Sequence, residues 1–486
     1  MEISVAGRLA QREKADCLVL PFWQKDKKAN AAFSGRELFP LFADLLQSGD
    51  FKAQEAETFL LYNSRNREKR IFLLGLGEKR EDPEVLRRSF AAFVKAAREK
   101  GYKSANLLLT SWDRASLVAA CEGVLLANYA FDRLKQDVLK EKPTTLLERL
   151  SFIGAKRADL AALKREQSII QGVNLARDLA NQNADLMTPQ ELCVEAERLQ
   201  NQFPSIKTTV LGKKEIEKLK MGLLLAVNQG SSRDPALIVM EYLGDPRSKE
   251  KTALVGKGIT FDTGGLNLKS TGNIETMKLD MSGAATVLGT FYAAAAICLK
   301  ANLIAVIPAT ENAIGPKSYK PGDVYRSYQQ KTVEIANTDA EGRLILADAL
   351  SYARDVMKPT RLIDLATLTG SIVIALGEEM TGLFSNHEEL AQALIRAGEK
   401  TGEKVWRMPL VSDYKEELKS SIADLKNCGS KKGGSITAAL FLQEFVGKMP
   451  WAHLDIAGTA HKEPKHYHTT HATGVGVRLL IALLDQ

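Results

Sequence analysis

The chain has 486 residues, 45% hydrophobic and 26% charged, with 66 Lys and Arg against 59 Asp and Glu for a formal net charge of +7. These proportions exclude a collagenous, disordered or disulfide-dense protein, and the length exceeds what one hydrophobic core organises, so a small and a large domain are expected. Cys17, Cys121, Cys193, Cys298 and Cys428 are odd in number, far apart and without a CxxC, which argues against a disulfide framework or a cysteine zinc site and for a reducing, cytoplasmic setting.

The N-terminal stretch carries Glu2, Arg8, Arg12, Glu13, Lys14 and Asp16 where a secretory signal needs an uninterrupted apolar run. Residues 1–155 alternate short apolar runs with helical periodicity, the pattern of a small α/β domain. Strands are expected at Asp16–Pro21, Phe59–Tyr62, Arg70–Leu76 and Asn106–Thr110, with an amphipathic helix over Pro83–Lys100. Gly75-Leu76-Gly77 reads as a tight turn, not a phosphate loop. The mixed charges from Arg65 to Lys69 read as solvated surface.

Leu160, Leu163, Ile169, Ile170, Val173, Ala176, Leu179 and Ala180 recur at helical spacing, making residues 156–183 a linker helix between the domains. Thr188-Pro189-Gln190-Glu191 is a capping box with proline in the first helical position and opens the next helix. Over 184–486, strands at Thr208–Leu211, Leu223–Val227, Ala236–Tyr242, Thr252–Val255, Leu303–Pro308, Val333–Ala336 and Arg361–Leu365 alternate with helices at Lys213–Lys220, Ala284–Leu299 and Leu344–Met357. That alternation predicts a larger α/β domain, a mixed central sheet covered by helices, with ligands at the carboxyl ends of its strands. The most apolar window, Phe291 to Pro308, is broken by Lys300 and Asn302 and reads as a helix and a buried strand, so no membrane span is expected.

Two segments place charged groups at strand ends. Val255 to Lys269 follows an apolar strand, carries Lys257, Asp262 and Lys269 among four glycines, and leads on to Met277-Lys278-Leu279-Asp280. Asn337-Thr338-Asp339-Ala340-Glu341-Gly342-Arg343-Leu344 lies between a strand and a helix; in extended geometry Asp339, Glu341 and Arg343 would share one face. Each aspartate alone would be a turn or cap residue paired with Lys257, Lys269 or Arg343. Four carboxylates converging in a semi-buried site repel one another unless cations compensate, and two divalent ions about 3.5 to 4 Å apart are the usual arrangement for hydrolysing an amide or phosphate. There is no HExxH and no Gly-x-Ser-x-Gly. The histidines at 461, 466, 468 and 471 read as a solvated loop, and His453 as a strand residue.

Both segments resemble the signature regions of the leucyl (cytosol) aminopeptidase family of di-metal exopeptidases, and Asn337 to Leu344 matches its octapeptide letter for letter. The resemblance continues through Ala366 to Gly370, Val405 to Leu410 and Trp451 to Gly458, from about residue 165 onward. It implies that 184–486 is the catalytic peptidase domain, with Lys257, Asp262, Asp280 and Glu341 at a tighter metal site and Asp262, Asp339 and Glu341 at an exchangeable one. It further implies Mn²⁺ or Zn²⁺, an activated water attacking the first peptide bond, Lys269 polarising the carbonyl, and Arg343 holding a bicarbonate. Met277, Thr367 and Gly370 would line the substrate pocket. Peptides with a free N-terminus, led by leucine and other apolar residues, would be the substrates, and the assembly a homohexamer. Thr263 stands where serine is more usual, and Leu266-Asn267-Leu268 where isoleucine-serine-isoleucine is. Two alternatives stay open: a DNA-binding accessory role on the same fold, which no basic stripe supports, and another two-metal hydrolase such as a phosphatase.

Overall fold

The computed structural model describes residues 1–34, 38, 40, 42–63, 66–80, 82–141 and 143–485. They form two compact units, Met1–Ile170 with Glu463–Thr470, and Gln171–Lys462 with His471–Gln486.

Among the described residues, the first unit is built on a seven-stranded sheet in the order Glu2–Ala6, Arg149–Ile153, Ser104–Leu108, Cys17–Lys25, Arg70–Glu78, Thr58–Tyr62, with Lys28–Ala31 against Cys17–Lys25. Its inner pairs are parallel and the Thr58–Tyr62 edge is antiparallel. Helix Pro83–Glu99 starts where Asp82 accepts from the Glu84 amide and a proline occupies the first turn. It packs against Arg114–Ala127. Within the charged run 65–69, Glu68 departs from the surface expectation: it is fully buried, accepting from Arg12 Nε and Nη2 and from Asn106 Nδ2. Three donors satisfy the carboxylate there, which a local reading of composition misses; Arg65 lies outside the described residues.

Helix Asp159–Asn181 contains the break between the units. The second unit carries a nine-stranded sheet, counted among the described residues, in the order Val405–Arg407, Thr381–Ser385, Trp451–Asp455, Arg361–Ala366, Thr252–Gly256, Asn302–Asn312, Ala236–Leu243, Ile206–Leu211, with Gly258–Asp262 also against Asn302–Asn312. The centre is parallel and both flanks carry antiparallel pairs. Its middle strand Thr252–Gly256 is buried throughout, as a strand covered on both faces must be. No helix among the described residues is long and apolar enough to cross a membrane.

One element changes type. The run Leu223–Val227, expected as a strand, lies in helix Gly222–Asn228. Short apolar runs do not distinguish a strand from a buried helix. Here the buried Asp348 carboxylate accepts from the amides of Leu223 and Leu224, satisfying first-turn donors that a helix would otherwise leave open.

Candidate metal centre

The site is assembled at the carboxyl ends of the central parallel strands. Lys257 sits between Thr252–Gly256 and Gly258–Asp262, Asp262 ends the latter, and Asp280 follows a 3₁₀ turn and precedes helix Ser282–Ala296. Glu341 is the residue before helix Gly342–Tyr352 and already has right-handed helical dihedrals, φ −78° and ψ −38°. This corrects the extended geometry expected for the octapeptide: Asp339 lies in the turn, Glu341 enters the helix, and the two differ in exposure. Tight turns make the approach possible. Gly264 has φ +85°, and a β-carbon at Gly342 would lie 2.4 Å from Lys257 Cε.

Ligand oxygens of Asp262, Asp280 and Glu341 lie within 4.8 Å of one another, the only such trio of potential ligands among the described residues. Lys257 Nζ lies 2.8 Å from Asp280, 2.9 Å from Glu341 Oε1 and 2.9 Å from the Thr367 carbonyl. Lys269 Nζ bridges Asp262 Oδ2 at 2.8 Å and Asp339 Oδ1 at 2.5 Å. Asp339 thus joins through Lys269, with its side chain about one-third exposed (34%).

Four carboxylates therefore share two ammonium groups. Burial and then the neighbouring Glu341 push Asp262 up to about 6, and burial, only partly opposed by Lys257, pushes Asp280 up to about 8. Burial likewise raises Asp339. Burial also works against ionised Glu341, but Lys257 and Lys269 together outweigh it and hold this carboxyl low. For Lys257, burial favours the neutral amine, yet Asp280, Glu341 and Asp262 win and its pKa is raised. The neighbouring carboxylates thus favour the ammonium form of Lys257, and ligation of a metal through Nζ would have to displace a proton.

The donor set fits divalent cations. Negative charge exceeds positive, the oxygens are hard and convergent, and Glu341 Oε2 is buried with no hydrogen-bond partner. The cluster lies in a cavity of about 810 Å³. Met277, Thr367 and Gly370 all line it, beside the apolar Leu268, Val373 and Ile374. Arg343 does not; it is buried and donates from Nη1 to the Asn427 carbonyl, its Nε without a hydrogen-bond partner. Thr367 Oγ1 donates to Asp280 Oδ1.

Some residues of the site are given no role by the sequence pattern, although they lie within segments it singles out. Asp455, buried at the end of strand Trp451–Asp455, holds the 367–370 turn by accepting from the Leu368 amide and Thr369 Oγ1. Thr338 Oγ1 donates to the Gly264 carbonyl and accepts from the Asn267 amide, pinning the two signature segments together. His461 lines the cavity and stacks on His471 at 5.1 Å, so part of the histidine stretch expected as a solvated loop belongs to the site.

Comparison with known proteins identifies the family. The catalytic-domain model of the cytosol aminopeptidase family matches residues 174–481, and that family's N-terminal-domain model matches 19–137. A protein of Protochlamydia amoebophila named probable cytosol aminopeptidase is 52% identical, covering 100% of this chain and 99% of its own length. One of the same name from Chlamydia felis is 46% identical, over 98% and 97%. Among solved structures, a tomato leucine aminopeptidase mutant superposes with a TM-score of 0.87 at 32% identity, covering 100% of this chain and 96% of its own. The bottromycin maturation enzyme BotP in complex with Mn gives 0.85 at 30%, over 97% and 99%. The chain belongs to the cytosol, or leucyl, aminopeptidase family and is a metal-dependent aminopeptidase.

Proposed function

We propose that this aminopeptidase works with two divalent cations, Mn²⁺ or Zn²⁺, and releases leucine and other apolar residues from the N-terminus of peptides. The observation that carries the reading is the excess of buried carboxylate over lysine at one end of a cavity with an apolar wall. Lys257, Asp262, Asp280 and Glu341 would hold the tighter cation, and Asp262, Asp339 and Glu341 the exchangeable one. When bound, the pair supplies Lewis acidity and lowers the pKa of water enough to give a nucleophile at neutral pH.

The chain's own residues do the rest. Asp339, about one-third exposed, gives the exchangeable site its access to solvent. Lys269 is strongly held as a cation because Asp262, Glu341 and Asp339 outweigh its burial, and it would polarise the scissile carbonyl and stabilise the charge developing on oxygen. Met277 and Val373 offer apolar surface to the first side chain, which supports the substrate preference. Arg343, the proposed holder of a bicarbonate that would serve as the base, has a donor to spare at Nε but is buried and does not line the cavity, so the role requires a path from the cavity to its guanidinium. The free cysteines fit a cytoplasmic setting, and a homohexamer is the proposed assembly.

The test is release of a chromogenic amine from a leucine anilide by metal-stripped protein, with and without added Mn²⁺ or Zn²⁺, beside Asp339→Ala. We expect activity that depends on added metal and falls about 10³-fold in the variant, the scale of several kcal/mol of lost charge stabilisation. Metal-independent activity, or a variant as active as the parent, would overturn the reading.

A further inference from the structure

Asn312 is fully buried, ends strand Asn302–Asn312, and pairs with Asp262 just past a bulge in the neighbouring strand. Its Nδ2 donates to Asp262 Oδ1 at 2.8 Å and to the Thr338 carbonyl at 3.0 Å. Its backbone carbonyl accepts from the amide and the hydroxyl of Thr263, at 2.9 and 2.8 Å. One residue thus touches both signature segments. The amide cannot sit the other way round, since its oxygen would then face two acceptors. In the orientation it must take, Oδ1 is buried with no hydrogen-bond partner. The task of the amide is then carried by Nδ2.

That task can be read at Asp262. Its Oδ1 accepts from Asn312 Nδ2 and from the Gly264 amide, both at 2.8 Å, which fills the acceptor directions of that oxygen with neutral donors. Oδ2 takes no such donor and faces Lys269 Nζ. We propose that Asn312 is a positioning residue which fixes the Asp262 carboxylate with Oδ2 left available to a cation, and which ties its placement to the Asp339–Glu341 turn through the Thr338 carbonyl. The inference rests on Asp262 being a metal ligand. Outer-shell donors of this kind orient ligating carboxylates, and their loss typically weakens metal binding 10- to 100-fold.

The experiment measures Mn²⁺ affinity of the full chain by competition with a fluorescent chelator, and the thermal midpoint of metal-free protein, for Asn312→Ala, Asn312→Leu, Asn302→Ala and Asp262→Ala. Asn312→Leu keeps most of the volume and removes the orphaned oxygen, so it tests the donor if the alanine variant folds poorly. Asn302, buried at the other end of the same strand, donates to the carbonyls of Asp245, Ser248 and Glu250, and serves as the structural control. Both Asn312 variants should bind Mn²⁺ 10- to 100-fold more weakly, with the midpoint shifted no further than in Asn302→Ala, which should keep its affinity. Asn312 variants within twofold of the parent, while Asp262→Ala loses binding, would overturn the proposal. Should Asp262→Ala itself bind Mn²⁺ normally, the ligand assignment beneath it fails instead.

Discussion

The catalytic domain buries carboxylates in two kinds of place and satisfies them in opposite ways. Asp348 accepts from the amides of Leu223, Leu224 and Tyr328 at 3.0, 3.0 and 2.7 Å, and Asp364 from the Trp451 indole at 2.7 Å while pairing with His453 Nδ1 at 2.6 Å. Each of these has its own set of donors. Asp262, Asp280 and Glu341 instead crowd one another and divide two lysines. Depth does not separate the groups, since all five are at most 5% exposed. What differs is the ratio of donors to carboxylates: a carboxylate with a full set of donors of its own holds the fold, and one left to divide a lysine with its neighbours is open to ligation.

The comparison can be broken at its structural end. Asp364→Ala leaves the His453 ring and the Trp451 indole buried without their acceptor, between the stacked Phe384 and the strand. Removing one partner of a buried pair costs about 3–5 kcal/mol, and the loss should appear in denaturant unfolding of the catalytic domain. Mn²⁺ affinity of the surviving folded fraction should match the parent; a tenfold fall would mean that the two kinds of carboxylate are one network.

At the functional end the expected effect is smaller and has the other sign. If Asp262, Asp280 and Glu341 are short of positive charge, divalent cations should stabilise the native state. Mn²⁺ at a hundredfold excess over its dissociation constant should add about 2.7 kcal/mol, read as a raised unfolding midpoint. Asp262→Ala should abolish the rise and Asp364→Ala should keep it. An equal rise in Asp262→Ala would place the cation elsewhere.

This contrast also explains what was legible in the sequence. Asp262, Asp280, Asp339 and Glu341 stand beside glycines, turns and strand ends, local features that a linear pattern preserves, and the octapeptide is specific enough to name its family. The alternation of elements likewise foretold a mixed sheet with the site at its strand ends. The donors were not legible. Asn312 reaches Asp262 across a strand pair 50 residues away, and Glu68 meets Arg12 at a separation of 56, so nothing adjacent marks either one. Leu223–Val227 was misread for the same reason, since the carboxylate that anchors its helix lies 125 residues on. Asp339 and Glu341 were assigned one extended face because the helix begins a residue or two earlier than the apolar periodicity suggests.

The smallest expected effect is the pH dependence of the Asp364 pair, and its sign follows from His453. Burial works against the imidazolium, but Asp364, with help from Asp455 and against Arg343, outweighs it, so the pKa of His453 in the folded protein is raised. A group that binds its proton more tightly when folded contributes stability fully below its unfolded value of about 6.5, and that contribution fades as pH rises through the higher folded value. The stability difference between the parent and Asp364→Asn should therefore be greatest near pH 6 and smaller at pH 9, measured by denaturant unfolding of metal-free protein. Asp348 should not mask this. Burial outweighs its three amide donors and pushes it up to about 7, so whatever stability it contributes as a neutral acid is lost between about pH 4 and 7, mostly below the window in which the histidine acts. A difference that grows toward pH 9 would mean His453 is neutral when folded, so that Asp364, like Asp348, is held by neutral donors alone.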